Sequence, residues 1–269
     1  MSTLNSEFAA HQQAKQLFDR TADKYFRRSS GSVYNFTSLI FRRRIAIVES
    51  FIRRLAKPGG NALDYGMGPA VFAECCEAAG THYLGIDVSP EMVQRSKQLG
   101  FSNSEFIVGD LETLSAYKNQ KDLVLAIGLI DYLEDVPAGI SQLAACVKPG
   151  GSLILSFRNR YSLPGLLRDI SKTILRPFLK GSSRANDKAF FAKVYEKSFD
   201  LKSQLIPQLA SLGFSGFEVR YFNCSPFFFN FPLPKFLWRT WSVVDRMLAH
   251  SLTRFVCSGG VVAGTKRAS

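Results

Sequence analysis

The sequence predicts an α/β fold built on a parallel β-sheet. Short apolar runs of strand length alternate with helical patterns through the middle of the 269-residue chain. Such alternation is typical of parallel sheets whose strands are joined by right-handed crossovers. One early run ends in a glycine-rich turn, and an acidic residue follows the next run about 20 residues later. These two features indicate a ligand-binding unit at the start of the sheet.

The glycine-rich turn spans residues 66–70 and precedes a helical pattern. Gly66 and Gly68 allow a sharp turn and let a ligand approach the backbone without a side chain in the way. The helix that follows directs its free N–H groups and positive dipole end into the same crevice. Asp87, which ends the second strand, can accept two hydrogen bonds from a ribose diol. The unit is therefore predicted to bind an adenosine-containing ligand.

The spacing of the glycines separates two ligand classes. The dinucleotide pattern G-x-G-x-x-G/A requires a small residue where this chain has Val71, which disfavours an NAD-dependent oxidoreductase. The chain instead reads D-x-G-x-G-x-A from Asp64 to Ala70. This stretch resembles the first motif of the class I S-adenosylmethionine-dependent methyltransferases, typically D-x-G-x-G-x-G. Ala70 replaces the last glycine, at little expected cost unless its φ must be positive.

The resemblance continues over residues 60–160. Later strand motifs of the family are similar to Gly85–Ser89, Phe106–Leu111, Asp122–Ile127 and Val147–Leu155. The resemblance implies S-adenosylmethionine as the cofactor, with an acid near the adenine amino group at Asp110. It implies cofactor-binding positions at Asp64, Gly66, Gly68, Asp87, Asp110, Leu111 and Ile127. It also implies a Rossmann-like class I methyltransferase fold, with a seven-stranded, mostly parallel sheet whose last strand is antiparallel.

The remaining elements are expected in the following order. Helices are predicted near 4–28, 34–56, 70–80, 90–99, 137–147, 195–212 and 235–250. Strands are predicted near 61–64, 82–86, 104–108, 122–127, 152–158, 214–222 and 260–264. Ser89 and Pro90 form a typical helix start, with an N-cap followed by proline at the first helical position. We divide the chain into an N-terminal helical cap, 1–57, and a methyltransferase domain, 58–269.

Candidates for acceptor binding and catalysis lie outside the glycine turn. In the resembled family the helices before the first strand help to shape the substrate site, which makes Tyr25 and Tyr34 substrate candidates, with packing as the alternative. Arg158, at the end of the fifth strand, is a third candidate. Many relatives carry a Glu-His pair after the fourth strand, where this chain has Asp131 and Tyr132. Either side chain could orient or deprotonate an acceptor hydroxyl; the alternative is that Asp131 caps the turn and Tyr132 packs.

The chemistry implied by the resemblance is direct displacement at an electrophilic carbon, which mainly requires alignment and exclusion of water. We expect no metal, since no metal-ligand cluster is visible in the sequence. Three successive arginines, Arg42, Arg43 and Arg44, precede the sheet. They form either a solvated face or a contact to the methionine carboxylate or an anionic substrate.

A helical insertion is expected after the fifth strand, at residues 159–195. Within it, residues 163–180 have an apolar face and a basic face, a pattern typical of helices in a membrane interface, with packing on the protein as the alternative. The preceding Ser156-Phe157-Arg158-Asn159-Arg160 resembles the quinone-biosynthesis O-methyltransferases. This resemblance implies O-methylation of a small, hydrophobic or lipid-linked acceptor. The phenylalanines of a Phe- and Pro-rich loop at 224–234 are expected in the core, in a hydrophobic substrate pocket or at a membrane surface.

Composition limits the possible partners and compartment. The net charge of +12 favours an anionic partner: a small molecule, a lipid surface or nucleic acid. Five cysteines without framework spacing indicate a reducing compartment. With a polar N-terminus and no apolar run of membrane-spanning length, we expect a cytoplasmic protein, peripheral at the inner face of the membrane.

Two alternatives to a small-molecule enzyme stay open. A nucleic-acid methyltransferase would account for the charge, but no N/D-P-P-Y/F motif follows the fourth strand. A non-catalytic, membrane-docked scaffold of the same fold would account for Ala70 and for the missing histidine. Oligomeric state is not predicted.

Overall fold

The computed structural model describes residues 18–19, 22–23, 25–26, 36–163, 165–166, 197–223, 234–248 and 255–268. Its strands are β1 Asn61–Tyr65, β2 His82–Asp87, β3 Ser104–Val108, β4 Lys121–Ala126, β5 Val147–Arg158, β6 Phe214–Phe222 and β7 Gly259–Lys266. They form one sheet in the order β3-β2-β1-β4-β5-β7-β6. Strands β1 to β5 pair in parallel, whereas β7 is antiparallel to both β5 and β6. The predicted class I methyltransferase fold is confirmed.

Helices cover both faces of the sheet. They are α1 Phe36–Leu55, α2 Ala73–Ala78, α3 Pro90–Lys97, α4 Val136–Cys146, α5 Ile206–Ser211 and α6 Lys235–Leu248. The Ser89 side chain caps α3 by accepting from the Met92 N–H at 3.2 Å, as its sequence predicts. Asp135, rather than Asp131, caps α4.

Alternate side chains of the strands enter two separate cores. Leu63 of β1 packs in the core that includes residues of α4 and α5, whereas the neighbouring Ala62 packs in the core formed with α1 and α2. Because both faces are covered, the central strands are apolar on both sides, as expected for a parallel sheet. Phe51 and Ile52 of α1 are fully buried in the second core, which holds this helix against the sheet.

The structure differs from the sequence expectations at two helix starts and in two short helical segments. Helix α2 begins at Ala73 rather than near residue 70, because Ala70 has a left-handed φ of +50° that no right-handed helix accommodates. The helix expected from residue 195 becomes regular only at a π-helical turn, Leu201–Leu205, that runs into α5. Two 3₁₀ segments, Glu112–Tyr117 and Ile130–Tyr132, were not predicted.

Several sequence predictions fall wholly or mostly outside the described residues. These are most of the helix at 4–28, Tyr34, the basic helix at 163–180 beyond its first residues, and the loop at 224–234 apart from its last residue. The division into cap and domain stays a prediction. No helix in the described part of the chain is long and apolar enough to cross a membrane.

The cysteines do not all have the reduced state that the sequence led us to expect. Cys75, Cys76 and Cys146 are buried free thiols, whereas Cys257 is disulfide-bonded.

Candidate active site

A cleft opens at the carboxyl ends of β1, β2 and β4, where the order of the parallel strands reverses direction. It holds about 860 Å³ of empty space, part of it open to solvent. Such a switch point is where open α/β sheets bind ligands. Its lining includes seven of the residues predicted from the sequence: Tyr25, Asp64, Gly66, Gly68, Asp87, Ile127 and Tyr132.

The glycine turn has the backbone geometry that its sequence predicts. Gly66 has a φ of +72°, and its N–H donates to the carbonyl of Ile86 at 2.8 Å, which ties the turn to β2. A Cβ on Gly66 would lie 2.8 Å from Leu129 Cδ1. Gly68 has a φ of +54°, and a Cβ there would meet no atom within 4 Å. The missing side chain at Gly68 therefore leaves open space beside the turn.

Asp87 is fixed at the end of β2 by two backbone donors. Its Oδ2 accepts from the Gly68 N–H at 2.9 Å, and its Oδ1 accepts from the Ser89 N–H at 2.9 Å. Burial raises the pKa of Asp87, and the two backbone donors oppose that rise. Each carboxylate oxygen keeps a further lone pair, so the side chain remains able to accept from a ligand diol.

Asp64 is fully buried in the floor of the cleft. Its Oδ2 accepts a hydrogen bond from the Tyr83 hydroxyl at 2.7 Å. Burial raises its pKa to about 7, the Tyr83 hydrogen bond opposes the rise, and the nearby Asp87 adds to it. Near neutral pH this carboxyl is therefore close to half protonated.

Arg44 reaches the cleft from α1, and it belongs to the arginine triplet for which a solvated face and a ligand contact were both left open from sequence. Its guanidinium lies so close to Gly128 that a Cβ on this glycine would be 2.6 Å from Arg44 Nη1. Gly128 has a φ of +72°, and its N–H donates to Ser156 Oγ at 2.6 Å. Burial lowers the pKa of Arg44, and its Nε has no hydrogen-bond partner in the described part of the chain.

Aromatic side chains form another wall of the cleft. The Phe18 ring packs edge-on to Tyr132 with centroids 5.3 Å apart, and it also contacts Tyr25. The described N-terminal residues are attached to α3, because Asp19 accepts from the Ser89 hydroxyl and Asp23 pairs with Arg95 at 2.6 Å.

Arg95 also lies 4.9 Å from the ring of Phe26, a cation–π contact that adds to this attachment. Phe18 and Tyr25 therefore lie in the wall of the cleft, and the role predicted for Tyr25 in substrate binding stays a prediction.

Four predicted site residues do not line the cleft. Arg158 pairs with Asp131, with Nη2 and Oδ2 3.6 Å apart. Burial raises the pKa of Asp131, the charge of Arg158 opposes this, and its Oδ1 has no hydrogen-bond partner among the described residues. Asp110 is engaged with Thr113, whose N–H donates to Asp110 Oδ1 at 3.2 Å. Leu111, beside it, packs against the larger core.

The donor set of the cleft suits an adenosine-containing ligand with both positive and negative groups. The acids Asp64 and Asp87 lie on β1 and at the end of β2, and the cation Arg44 lies beyond β4. No group of three His, Cys, Asp or Glu side chains that could hold a metal ion occurs within the described residues.

Comparisons with known proteins agree with this geometry. A protein-family model described as a methyltransferase domain matches residues 63–155. A ubiquinone biosynthesis O-methyltransferase of Xanthomonas campestris is 32% identical over 111 residues, which are 40% of this chain and 46% of that protein. One from Xylella fastidiosa is 24% identical over 140 residues, 50% of this chain and 57% of that protein. The chain thus spans about half the length of the curated relatives it matches.

Solved structures show the same fold at low identity. Magnesium protoporphyrin IX methyltransferase from Synechocystis, solved with bound S-adenosylhomocysteine, is 19% identical with a TM-score of 0.61, over 94% of this chain and 98% of that one. The [4+2]-cyclase SpnF is 14% identical with a TM-score of 0.58, over 96% of each chain. The resemblance to class I S-adenosylmethionine-dependent methyltransferases, inferred from the sequence, is confirmed by the family match and by the fold.

Proposed function

We propose that this protein, whose residues 63–155 are a methyltransferase domain of the class I S-adenosylmethionine-dependent family, transfers a methyl group to a small acceptor molecule. The acceptor we propose is hydrophobic or lipid-linked and is methylated on oxygen. The observation that supports this most directly is the cleft itself, where Asp87, held by the Gly68 and Ser89 N–H groups, lies beside an aromatic-walled opening. The relatives that are ubiquinone biosynthesis O-methyltransferases support the choice of oxygen.

The residues present fit S-adenosylmethionine. Asp87 has unused lone pairs for a ribose diol, and Gly68 leaves open space beside the turn. Arg44 brings a cation whose Nε has no hydrogen-bond partner among the described residues, which suits the methionine carboxylate. When bound, the cofactor supplies an electrophilic methyl group. The chain supplies binding, orientation and exclusion of water.

The acceptor side of the cleft is formed by Phe18, Tyr25, Phe41 and Tyr132. Aromatic rings suit a flat or apolar acceptor, and the Tyr132 hydroxyl can orient an acceptor oxygen toward the methyl group. Asp131 lies next to Tyr132 in sequence and pairs with Arg158. We propose that Asp131 orients this loop, so that Tyr132 is the better candidate for direct contact with the acceptor.

The first test is calorimetric titration with S-adenosylhomocysteine, with NADH as the control. Micromolar binding of the first alone supports the proposed cofactor class, and binding of NADH alone refutes it. The second test follows transfer of labelled methyl from S-adenosylmethionine to phenols with and without a prenyl chain. Cofactor binding without methyl transfer to any phenol would refute the proposed acceptor class. It would favour the alternative of a non-catalytic scaffold with the same fold.

The comparisons lend no support to a nucleic-acid acceptor. Peripheral membrane association remains part of the proposal, since a lipid-linked acceptor is presented at a membrane.

A further inference from the structure

The exposed large apolar side chains of this protein are concentrated at one edge. Within the described residues, eight of ten lie after β5 or between β6 and β7: Tyr161, Leu163, Leu166, Phe236, Leu237, Val243, Met247 and Phe255. The other two are Leu99 and Val108. Concentrations of this kind mark interaction sites, whereas single exposed apolar residues need no explanation.

Sheet register shows that these segments leave the sheet together. Arg158 at the end of β5 and Phe222 at the end of β6 both pair with Gly259 at the start of β7. The Asn159 N–H donates to the Ser258 carbonyl at 3.0 Å, which continues this proximity beyond the strands. The described residues 159–163, 165 and 166 therefore lie at the carboxyl edge of the sheet, the same edge as the cleft. The start and end of the β6–β7 connection, including Phe255, lie there too.

Helix α6 lies in the β6–β7 connection and turns a charged face toward α1. Asp245 is only 2% exposed, and its Oδ2 lies 3.5 Å from Arg43 Nε. Arg42 lies over the Trp238 ring at 5.0 Å. Trp238 and Asp245 are seven residues apart and share one face of the helix. This ion pair and cation–π contact fix the rotation of α6 about its axis.

The opposite face of α6 is apolar. Phe236, Val243 and Met247 are spaced by seven and four residues and form a stripe, with exposed fractions of 67%, 49% and 72%. The exposed Arg239 and Arg246 run beside this stripe. A surface helix of a soluble protein normally has the reverse arrangement, with its apolar stripe toward the core.

We infer that the outer face of α6 docks on an anionic lipid bilayer, together with the exposed side chains of Tyr161, Leu163, Leu166 and Phe255. An apolar stripe flanked by arginines is the arrangement that interfacial helices use. The sole acid of α6 is the buried Asp245, so that no exposed carboxylate on this helix opposes an anionic surface. A symmetric copy of the same face would instead bring arginines against arginines.

Docking at this edge would place the mouth of the cleft toward the bilayer. An acceptor with an apolar tail could then enter without crossing water, which would avoid the cost of exposing its tail. The inference rests on the proposed function only for this lipid-linked acceptor. It assigns the main contact to α6, whereas the predicted basic segment 163–180 contributes Leu163 and Leu166 from its described part.

The test is co-sedimentation of the full chain with phosphatidylcholine vesicles, with and without phosphatidylglycerol. We expect binding to the anionic vesicles and a partition coefficient lowered about 100-fold in Phe236→Asp/Met247→Asp, since both side chains lose their apolar burial. Arg239→Glu/Arg246→Glu should lose at least about tenfold and should abolish the preference for phosphatidylglycerol. Leu99→Asp is the matched control, because Leu99 is 48% exposed in the connection between α3 and β3, and it should bind as wild type.

Three outcomes would overturn the inference. The first is absence of vesicle binding by the wild type, and the second is equal binding by wild type and both α6 variants. The third is a concentration-dependent dimer that the same variants dissociate, which would make this face an interface between two copies. Titration of each variant with S-adenosylhomocysteine separates this inference from the proposed function. Unchanged affinity with lost vesicle binding supports docking, whereas absence of cofactor binding in the wild type contradicts only the proposed function.

Discussion

The buried Asp64 makes stability depend on pH in a direction opposite to that of most acids. Burial raises its pKa from 3.8 to about 7, so the folded protein holds a proton there that the unfolded chain has released. Stability is therefore lost as pH rises from about 4 to about 7, at a rate of up to about 1.4 kcal/mol per pH unit. Between about pH 5 and pH 7 this single group accounts for a loss of about 2.3 kcal/mol, because the slope falls to half its full value at the folded pKa.

The change to make is Asp64→Asn, which keeps an oxygen for the Tyr83 hydroxyl but cannot ionise. We expect the unfolding free energy of the variant, relative to wild type, to rise by about 2.3 kcal/mol between about pH 5 and pH 7. Urea denaturation of both proteins at half-unit pH steps measures this difference in unfolding free energy. Asp122→Asn is the control, because hydrogen bonds from Lys148 and the Asn61 N–H hold the pKa of Asp122 below its usual range.

Asp122 therefore titrates below the interval from about pH 5 to pH 7. The difference in unfolding free energy between Asp122→Asn and wild type should stay constant across this interval. The unfolding free energies of wild type and Asp64→Asn could instead run parallel from about pH 5 to pH 8. That result would refute a raised pKa of the buried Asp64 carboxyl. A rise of the same size in the Asp122→Asn variant would show that the effect does not come from burial of Asp64.

Three further predictions concern the ligand sites. Asp87→Asn should weaken S-adenosylhomocysteine binding about 10- to 100-fold by calorimetry, because the charge and one acceptor for the ribose diol are lost; unchanged affinity would remove Asp87 from the cofactor site. Arg44→Met should weaken the same binding by a similar factor while raising the melting temperature, since it removes a desolvated cation; lost affinity with lower stability would indicate a structural role instead. Tyr132→Phe should slow methyl transfer about 100-fold without changing cofactor affinity, and an unchanged rate would assign Tyr132 to packing.

Sequence reasoning predicted the glycine-turn side of the cleft because that side depends on local backbone geometry. The turn at Gly66 and Gly68 and the acid at Asp87 belong to one continuous unit, and their spacing alone predicts their proximity. The same reasoning underestimated Ala70, whose φ of +50° is a conformation that alanine adopts at a cost of about 1–2 kcal/mol.

The acceptor side could not be located in this way, because it is assembled from segments far apart in the chain. The contact of Arg44 with Gly128 joins residues 84 positions apart, and the pairing of Phe18 with Tyr132 joins residues 114 apart. The arginine triplet was the available signal, but its spacing does not show which of three guanidinium groups turns inward. The structure divides them: Arg42 and Arg43 contact α6, and Arg44 enters the cleft.

Because Arg44 enters the cleft, acidic side chains lie on one side of the cleft and a cation lies on the other. Asp87 lies at the end of β2, Asp64 on the neighbouring β1, and Arg44 beside Gly128 after β4. Adjacent strands are about 4.8 Å apart, which separates the acid at one side from the cation at the other by about 10 Å. The amino-acid part of the proposed cofactor carries both an ammonium and a carboxylate group. The carboxylate is favoured near Arg44, and the ribose diol near Asp87.

A cofactor oriented in this way would present its reactive methyl group on the side of the cleft formed by Tyr25 and Tyr132. The acceptor would then approach from the aromatic wall, at the same sheet edge as the apolar stripe of α6. Exchanging the charges in Arg44→Glu should therefore impair cofactor binding more than Arg44→Met, because a carboxylate there repels the one it should attract. Equal losses in the two variants would contradict this orientation of the cofactor.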